Sequence, residues 1–133
     1  MAERRVTIKL LGEAKEAYLE LEKKVKEEKA NGTASSFNQT LFRSINDKIA
    51  ILKTKCDYGD QIPRKIVSRT KYMRDYSVTN LFRVDLSGYW RMIYTLRQPQ
   101  RDNPEVDILA IWLDVLDIID HKKYNKIFGY KDR

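Results

Sequence analysis

Residues 80–96 hold two short stretches in which apolar side chains alternate with polar ones, on either side of a Ser-Gly pair. This pattern predicts an antiparallel hairpin with strands at 80–86 and 90–96. A two-residue turn would pair Val84 with Arg91 and put a charge on the apolar face. A three-residue turn centred on Gly88, which tolerates positive φ, leaves one face entirely apolar or aromatic. Because a one-residue slip turns every side chain over, the buried face favours the three-residue turn.

The opposite face of this hairpin then receives Arg83 and Asp85 from one strand and Arg91 from the next. Guanidinium groups are planar, permanently charged and able to make paired hydrogen bonds, so two of them on one rigid face suit phosphate oxygens. A cross-strand Arg91–Asp85 pair with a purely structural role is the alternative.

The other segments predict an α+β fold. An N-terminal strand precedes a two-helix hairpin, which packs on an antiparallel sheet of about four strands, and a short C-terminal helix follows. Ser36 and Gln39 fit a capping box at the start of the second helix, which ends near Lys55. The remaining predicted elements are a strand at 5–10, a helix at 13–30, a strand at 66–72, a turn-rich connection at 98–104, an interior strand at 106–113 and a helix at 120–128.

The charge of the chain is concentrated in one part of it. The 133 residues include 26 Lys and Arg against 19 Asp and Glu, a net charge of +7. Residues 61–101 hold nine basic and two acidic residues, and this difference equals the net charge of the whole chain. Such concentration is typical of proteins that bind a polyanion, most often nucleic acid. A basic surface that favours solubility or meets an acidic protein partner is the alternative.

Two segments together resemble the RelE/ParE toxin superfamily. Residues 80–94 (NLFRVDLSGYWRMIY) are similar to that family's pattern of leucine, aromatic and arginine, then a glycine-containing loop, then aromatic, arginine, apolar, isoleucine and tyrosine. Residues 120–124 (DHKKY) are similar to its C-terminal His-Lys-x-Tyr segment. The order of strand, two helices and antiparallel strands resembles the family over essentially residues 1–133, as a single RelE-like toxin domain. The sequence departs from the family at Asp85, where many members carry a second basic residue.

The resemblance implies a role for each matched residue. Arg83 and Arg91 match the basic positions that bind and neutralise the scissile phosphate. His121 and Tyr124 match positions where some members have a general acid or base, and an imidazole, whose ordinary pKa is about 6.5, can transfer protons at cellular pH. The side chains expected to contact RNA around these four are Lys71, Arg74, Tyr89, Lys122 and Lys123.

The resemblance also implies an activity and partners. Members of the RelE type are ribosome-dependent endoribonucleases, or mRNA interferases, which cut mRNA in the ribosomal A site. Attack by the RNA's own 2′-hydroxyl needs no metal, because positioned cations stabilise the charge that develops. The expected partners are therefore the ribosome, mRNA and a cognate antitoxin that neutralises the toxin. A catalytically silent protein that binds nucleic acid or an antitoxin, and a ParE-like inhibitor of DNA gyrase, are the alternatives.

Several other classes of protein are excluded by composition. A single cysteine, Cys56, allows no internal disulfide and no cysteine-based zinc site, and His121 is the only histidine. No apolar run approaches the roughly 20 residues that span a bilayer, and residues 1–10 lack the pattern of a signal peptide. We therefore expect a cytoplasmic protein without a small-molecule cofactor, a metal or a membrane partner.

Overall fold

The computed structural model describes residues 3–98 and 108–130. Apart from Gln98, the predicted connection at 98–104 lies outside these residues, as does the start of the strand predicted at 106–113. The described elements, in chain order, are β1 (Glu3–Leu10), α1 (Gly12–Ala30), α2 (Phe37–Thr54), β2 (Asp60–Gln61), α3 (Arg64–Val67), α4 (Lys71–Tyr76), β3 (Phe82–Asp85), β4 (Arg91–Arg97), β5 (Ile108–Ile119) and α5 (His121–Phe128).

These elements form an α+β fold around one mixed five-stranded sheet of order β1-β5-β4-β3-β2. β1 runs parallel to β5, and all other neighbouring strands are antiparallel. The α+β class is confirmed, whereas the expected antiparallel sheet of about four strands is corrected to a mixed sheet of five. Two-residue β2 is too short to show alternation, and β1 pairs with a strand from the far end of the chain, so no local pattern specifies either pairing.

The hairpin of α1 and α2 packs on one face of the sheet, as predicted. Ser36 caps α2, since its hydroxyl accepts a hydrogen bond from the Gln39 amide at 3.1 Å. The return bond of the predicted capping box is absent, because the Gln39 side chain donates to the Glu28 carboxylate at 3.2 Å and to the Thr33 carbonyl at 3.1 Å. Among the described residues no helix is long and apolar enough to cross a membrane.

The α1–α2 hairpin buries the apolar face of the β3–β4 hairpin and forms the first core with it. Val84 pairs with Met92, and Phe82 pairs with Tyr94, their rings stacked 5.1 Å apart. Gly88 has φ +70° in the turn. The three-residue turn and its register are therefore confirmed. The buried members of this core are Ala14, Leu41, Ile45, Leu52, Cys56, Phe82, Val84, Leu86, Met92, Tyr94, Ile111, Leu113, Val115 and Ile118.

A second core covers part of the opposite face of the sheet. The strand predicted at 66–72 is wrong: the chain forms two short helices there, α3 and α4, which bury Val67 and Tyr72. Helices of one turn or slightly more show no periodicity of their own, and packing decides their conformation. The buried members of the second core are Ile62, Val67, Tyr72, Val78, Leu81, Ile93, Leu116, Ile119, Tyr124 and Phe128.

β5 extends six residues beyond its predicted end, to Ile119. It carries an irregularity opposite β4, where Ile93 pairs with Asp117 but the next residue, Tyr94, pairs with Val115. The extra residue, Leu116, shifts the alternation of the strand. Asp117 consequently lies on the second face of the sheet, the face that also carries the two arginines, instead of in the first core.

Candidate functional site

Arg83 and Arg91 lie on the same face of neighbouring antiparallel strands. Asp85 is the cross-strand partner of Arg91, and Arg83 precedes Asp85 by two residues. The side chains of Arg83 and Arg91 are 29% and 18% exposed, so their positions are fixed by packing while their charges stay close to solvent. The predicted convergence of the two arginines is confirmed.

Tyr124 lies against both arginines. The Asp120 carboxylate caps α5 by accepting a hydrogen bond from the Lys123 amide at 2.8 Å, so the helix begins directly after β5 and carries Tyr124 in its first turn. Arg83 Nη1 donates to the Tyr124 hydroxyl at 3.2 Å. The guanidinium carbons of Arg83 and Arg91 lie 5.7 and 5.6 Å from the centre of the Tyr124 ring, within the range of cation–π attraction.

The Tyr124 phenol stays protonated in this setting. Burial raises its pKa, and this effect exceeds the opposing effects of the Arg83 hydrogen bond and of the two positive charges. Since the hydroxyl oxygen already accepts a hydrogen bond from Arg83, its own proton is free to be donated to another acceptor. The geometry thus provides two cations and one neutral O–H donor on one small area of the sheet.

Two carboxylates also belong to this cluster. Asp60, on β2, accepts a hydrogen bond from Arg83 Nη2 at 2.9 Å. Asp85 Oδ1 lies 3.4 Å from Arg83 Nε and 3.1 Å from Arg91 Nε. Burial disfavours the Arg83 charge, but the hydrogen bonds with Asp60 and Tyr124 and the charge of Asp85 outweigh it and raise the Arg83 pKa. The two arginines therefore face an equal number of negative charges.

His121 and Tyr89 form the exposed edge of the cluster. Their ring centres are 6.0 Å apart in an edge-on arrangement, and the Tyr89 side chain is 73% exposed. Tyr89 also has φ +63°, a left-handed conformation that is uncommon for residues other than glycine. His121 and Tyr124 are both on α5, but Tyr124 is buried beneath the arginines while His121 is exposed beside Tyr89.

The remaining predicted RNA-binding residues lie in different surroundings. Lys122 and Lys123 are exposed on α5, and Arg74 is exposed on α4, 3.7 Å from the Asp75 carboxylate. Lys71 Nζ is ion-paired with Glu13 at 2.9 Å and with Asp117 at 3.2 Å. Lys71 thus belongs to a separate ion-pair cluster.

Asp117 is the centre of that separate cluster, which sequence reasoning missed. It is 2% exposed, and it accepts hydrogen bonds from the Tyr72 hydroxyl at 2.8 Å and from the backbone amide of Ile118 at 3.1 Å. Burial raises the Tyr72 pKa far above its usual range, with the Asp117 charge as the next cause, so the phenol stays neutral and donates. An aspartate within an apolar strand was the available signal for this cluster.

Within residues 3–98 and 108–130, no group of three or more His, Cys, Asp or Glu side chains could hold a metal ion. Comparison of the chain with protein-family models, with curated proteins and with solved structures gives no match. The chemistry of the arginine cluster is accordingly the basis on which a function can be argued.

Proposed function

We propose that the protein is a RelE-type endoribonuclease toxin, which cleaves mRNA on the ribosome without a metal. The observation that carries this proposal is that Arg83 and Arg91 both lie against Tyr124, whose neutral hydroxyl accepts a hydrogen bond from Arg83, on one rigid face of the sheet. The resemblance of residues 80–94 and 120–124 to the RelE/ParE superfamily supports it, and so does the element order from β1 through the α1–α2 hairpin to α5.

In this proposal each residue of the cluster has a defined task. Arg83 and Arg91 bind the scissile phosphate and stabilise the negative charge of the pentacoordinate state, the kind of electrostatic effect that is usually the largest in catalysis. Tyr124 donates its proton to the leaving 5′-oxygen, because its hydroxyl is neutral and oriented by Arg83. His121 accepts the proton of the 2′-hydroxyl. Tyr89, exposed beside His121, stacks on a base next to the cleaved bond.

An antitoxin is the proposed regulatory partner. Such a segment would fold upon binding, as a helix or as an added strand, and would present acidic side chains to the basic region at 61–101. Lys122, Lys123 and Arg74 are exposed and available to ribosomal or messenger phosphates.

The decisive experiment incubates purified protein with ribosomes that carry a defined mRNA and maps the ends of the RNA. Discrete cuts in the A-site codon are expected from the wild type, and Arg91→Ala is expected to remove them while the fold persists. Arg43→Ala is the matched control, since Arg43 is exposed on α2 and the α1–α2 hairpin packs on the other face of the sheet. Cleavage by Arg91→Ala at the wild-type rate would refute the assigned site.

A silent binding protein is the second candidate, and one observation favours it. Asp60 and Asp85 offset the charges of both arginines, which suits binding more readily than the stabilisation of a highly charged transition state. This candidate predicts salt-dependent RNA binding without any cleavage product. Inhibition of DNA gyrase, the remaining alternative, predicts loss of supercoiling activity that is independent of His121 and Tyr124.

A further inference from the structure

Asp85 occupies a position that a simple phosphate site would leave empty. One of its carboxylate oxygens lies between the Nε atoms of Arg83 and Arg91, at 3.4 and 3.1 Å. The Asp85 side chain is 61% exposed, so it borders the space in which a ligand of both arginines would lie. A phosphodiester bound there would be close to a second negative charge, and the two would repel each other.

The hydrogen-bonding state of Asp85 differs from that of Asp60. Asp60 accepts a direct hydrogen bond from Arg83 Nη2 at 2.9 Å. In the part of the chain that the structure describes, neither arginine Nε makes a hydrogen bond, although both are buried and both lie near Asp85. The Asp85 oxygen is thus attracted by two charges but retains its capacity to accept a hydrogen bond from a ligand.

A carboxylate beside a phosphate site becomes favourable when the ligand brings a donor. An ionised carboxylate only accepts hydrogen bonds. In RNA the 2′-hydroxyl lies on the sugar adjacent to each phosphate and can donate, whereas DNA has no donor there. RNA can therefore offset the repulsion from Asp85 with a hydrogen bond to a charged acceptor, and DNA suffers the repulsion without compensation.

We propose that Asp85 recognises the 2′-hydroxyl beside the phosphate held by Arg83 and Arg91, and thereby makes the site select single-stranded RNA over DNA. This inference rests on the phosphate role of the arginines in the proposed function. It adds a determinant of specificity that acts in binding: the hydroxyl donates its one proton to Asp85 in the bound state and turns to His121 only in the chemical step. Asp85 lies on the same strand as Arg83 and directly opposite Arg91, so the three groups keep a fixed spacing.

The test compares the affinities of three fluorescently labelled eight-nucleotide single strands of one sequence, without ribosomes. They are RNA, DNA and 2′-fluoro RNA, the last of which keeps an RNA-like sugar conformation but has no 2′ donor. The proteins are the wild type, Asp85→Asn and Asp47→Asn. Asp47 is exposed on α2, whose hairpin with α1 packs on the other face of the sheet, so its variant makes the same charge change away from the arginines. Gel analysis after each titration checks that the RNA is intact.

We expect the wild type to bind RNA about tenfold more tightly than DNA or 2′-fluoro RNA, the ratio that one hydrogen bond to a charged group provides. Asp85→Asn should bind DNA more tightly than the wild type does, and its RNA-to-DNA ratio should fall to about two. Asp47→Asn should keep the wild-type ratio. A wild type without preference for RNA, or an unchanged ratio in Asp85→Asn, would overturn the inference.

One further variant separates this inference from the proposed function. Arg91→Ala should weaken the binding of every strand. Unchanged affinity in Arg91→Ala would overturn the phosphate site and, with it, both proposals. Weakened binding in Arg91→Ala together with an unchanged RNA-to-DNA ratio in Asp85→Asn would overturn the role of Asp85 alone and leave the phosphate site standing.

Discussion

Replacing Tyr89 by glycine should stabilise the fold and weaken RNA binding. Tyr89 has φ +63°, and this left-handed conformation costs an L-residue roughly 1–2 kcal/mol. Glycine avoids that cost, but it also raises the conformational entropy of the unfolded chain, and this lowers the free energy of unfolding by about 0.4–1 kcal/mol. The ring is 73% exposed and contributes little to the core. The net expectation for Tyr89→Gly is an increase of about 1 kcal/mol in the free energy of unfolding.

Such an increase corresponds to a rise of roughly 3–4 °C in the midpoint of thermal unfolding for a chain of this size. Loss of one base–aromatic stack, about 1–3 kcal/mol, should weaken binding of single-stranded RNA between about fivefold and about 150-fold. Calorimetry and an RNA titration measure the two effects separately. Tyr89→Phe is the matched control, since it keeps the ring and should change neither quantity. A less stable Tyr89→Gly protein, or one with full RNA affinity, would show that the ring serves the turn instead of a ligand.

Three further variants test other parts of the structure. Tyr72→Phe removes the buried hydrogen bond to Asp117 and should lower the free energy of unfolding by about 1.5–3 kcal/mol, as measured by urea titration. An unchanged free energy of unfolding would show that this hydrogen bond contributes nothing to stability. Gly88→Ala places a Cβ against the exposed Phe37 ring at a residue with φ +70°, so it should destabilise the turn by at least the roughly 1 kcal/mol of the backbone strain, as thermal unfolding would measure. Burial raises the pKa of Tyr94 to about 12, so the folded state keeps a proton that the unfolded chain loses above about pH 10. That contribution to stability is complete below pH 10 and is lost as the pH rises towards 12. Between pH 9 and 12, the free energy of unfolding should therefore decline less steeply in Tyr94→Phe than in the wild type.

The parts of the fold that the sequence predicted are those governed by local patterns. Alternation across residues 80–96 was enough to place Arg83 and Arg91 on one face, because a strand has a period of two and only one turn length kept the other face apolar. The helix predicted at 120–128 is a similar case: the structure has α5 at His121–Phe128, bounded by caps at Asp120 and Gly129, which are local structures.

The parts that escaped prediction depend on contacts between distant segments. Two-residue β2 exists because it pairs with β3, yet it brings Asp60 to Arg83 across 23 residues of sequence. The irregularity at Leu116 depends on the pairing of β4 with β5, and it decides that Asp117 faces Tyr72 instead of the first core. The sequence therefore predicted both arginines of the site but only one of its two carboxylates, Asp85, and not Asp60.

The arginine cluster lies at the margin of the second core. In the middle of that face, side chains of α3, α4 and α5 pack with Ile93, Leu116 and Ile119 of the sheet. Tyr124 belongs to this buried layer and also contacts both arginines. The guanidinium groups are therefore held by a packed core on one side and remain partly exposed on the other. A charged site that must bind a ligand in a defined geometry requires this combination, because packing fixes the side chains and partial exposure admits the ligand. Through Tyr124, α5 thus positions the arginines as well as covering the sheet.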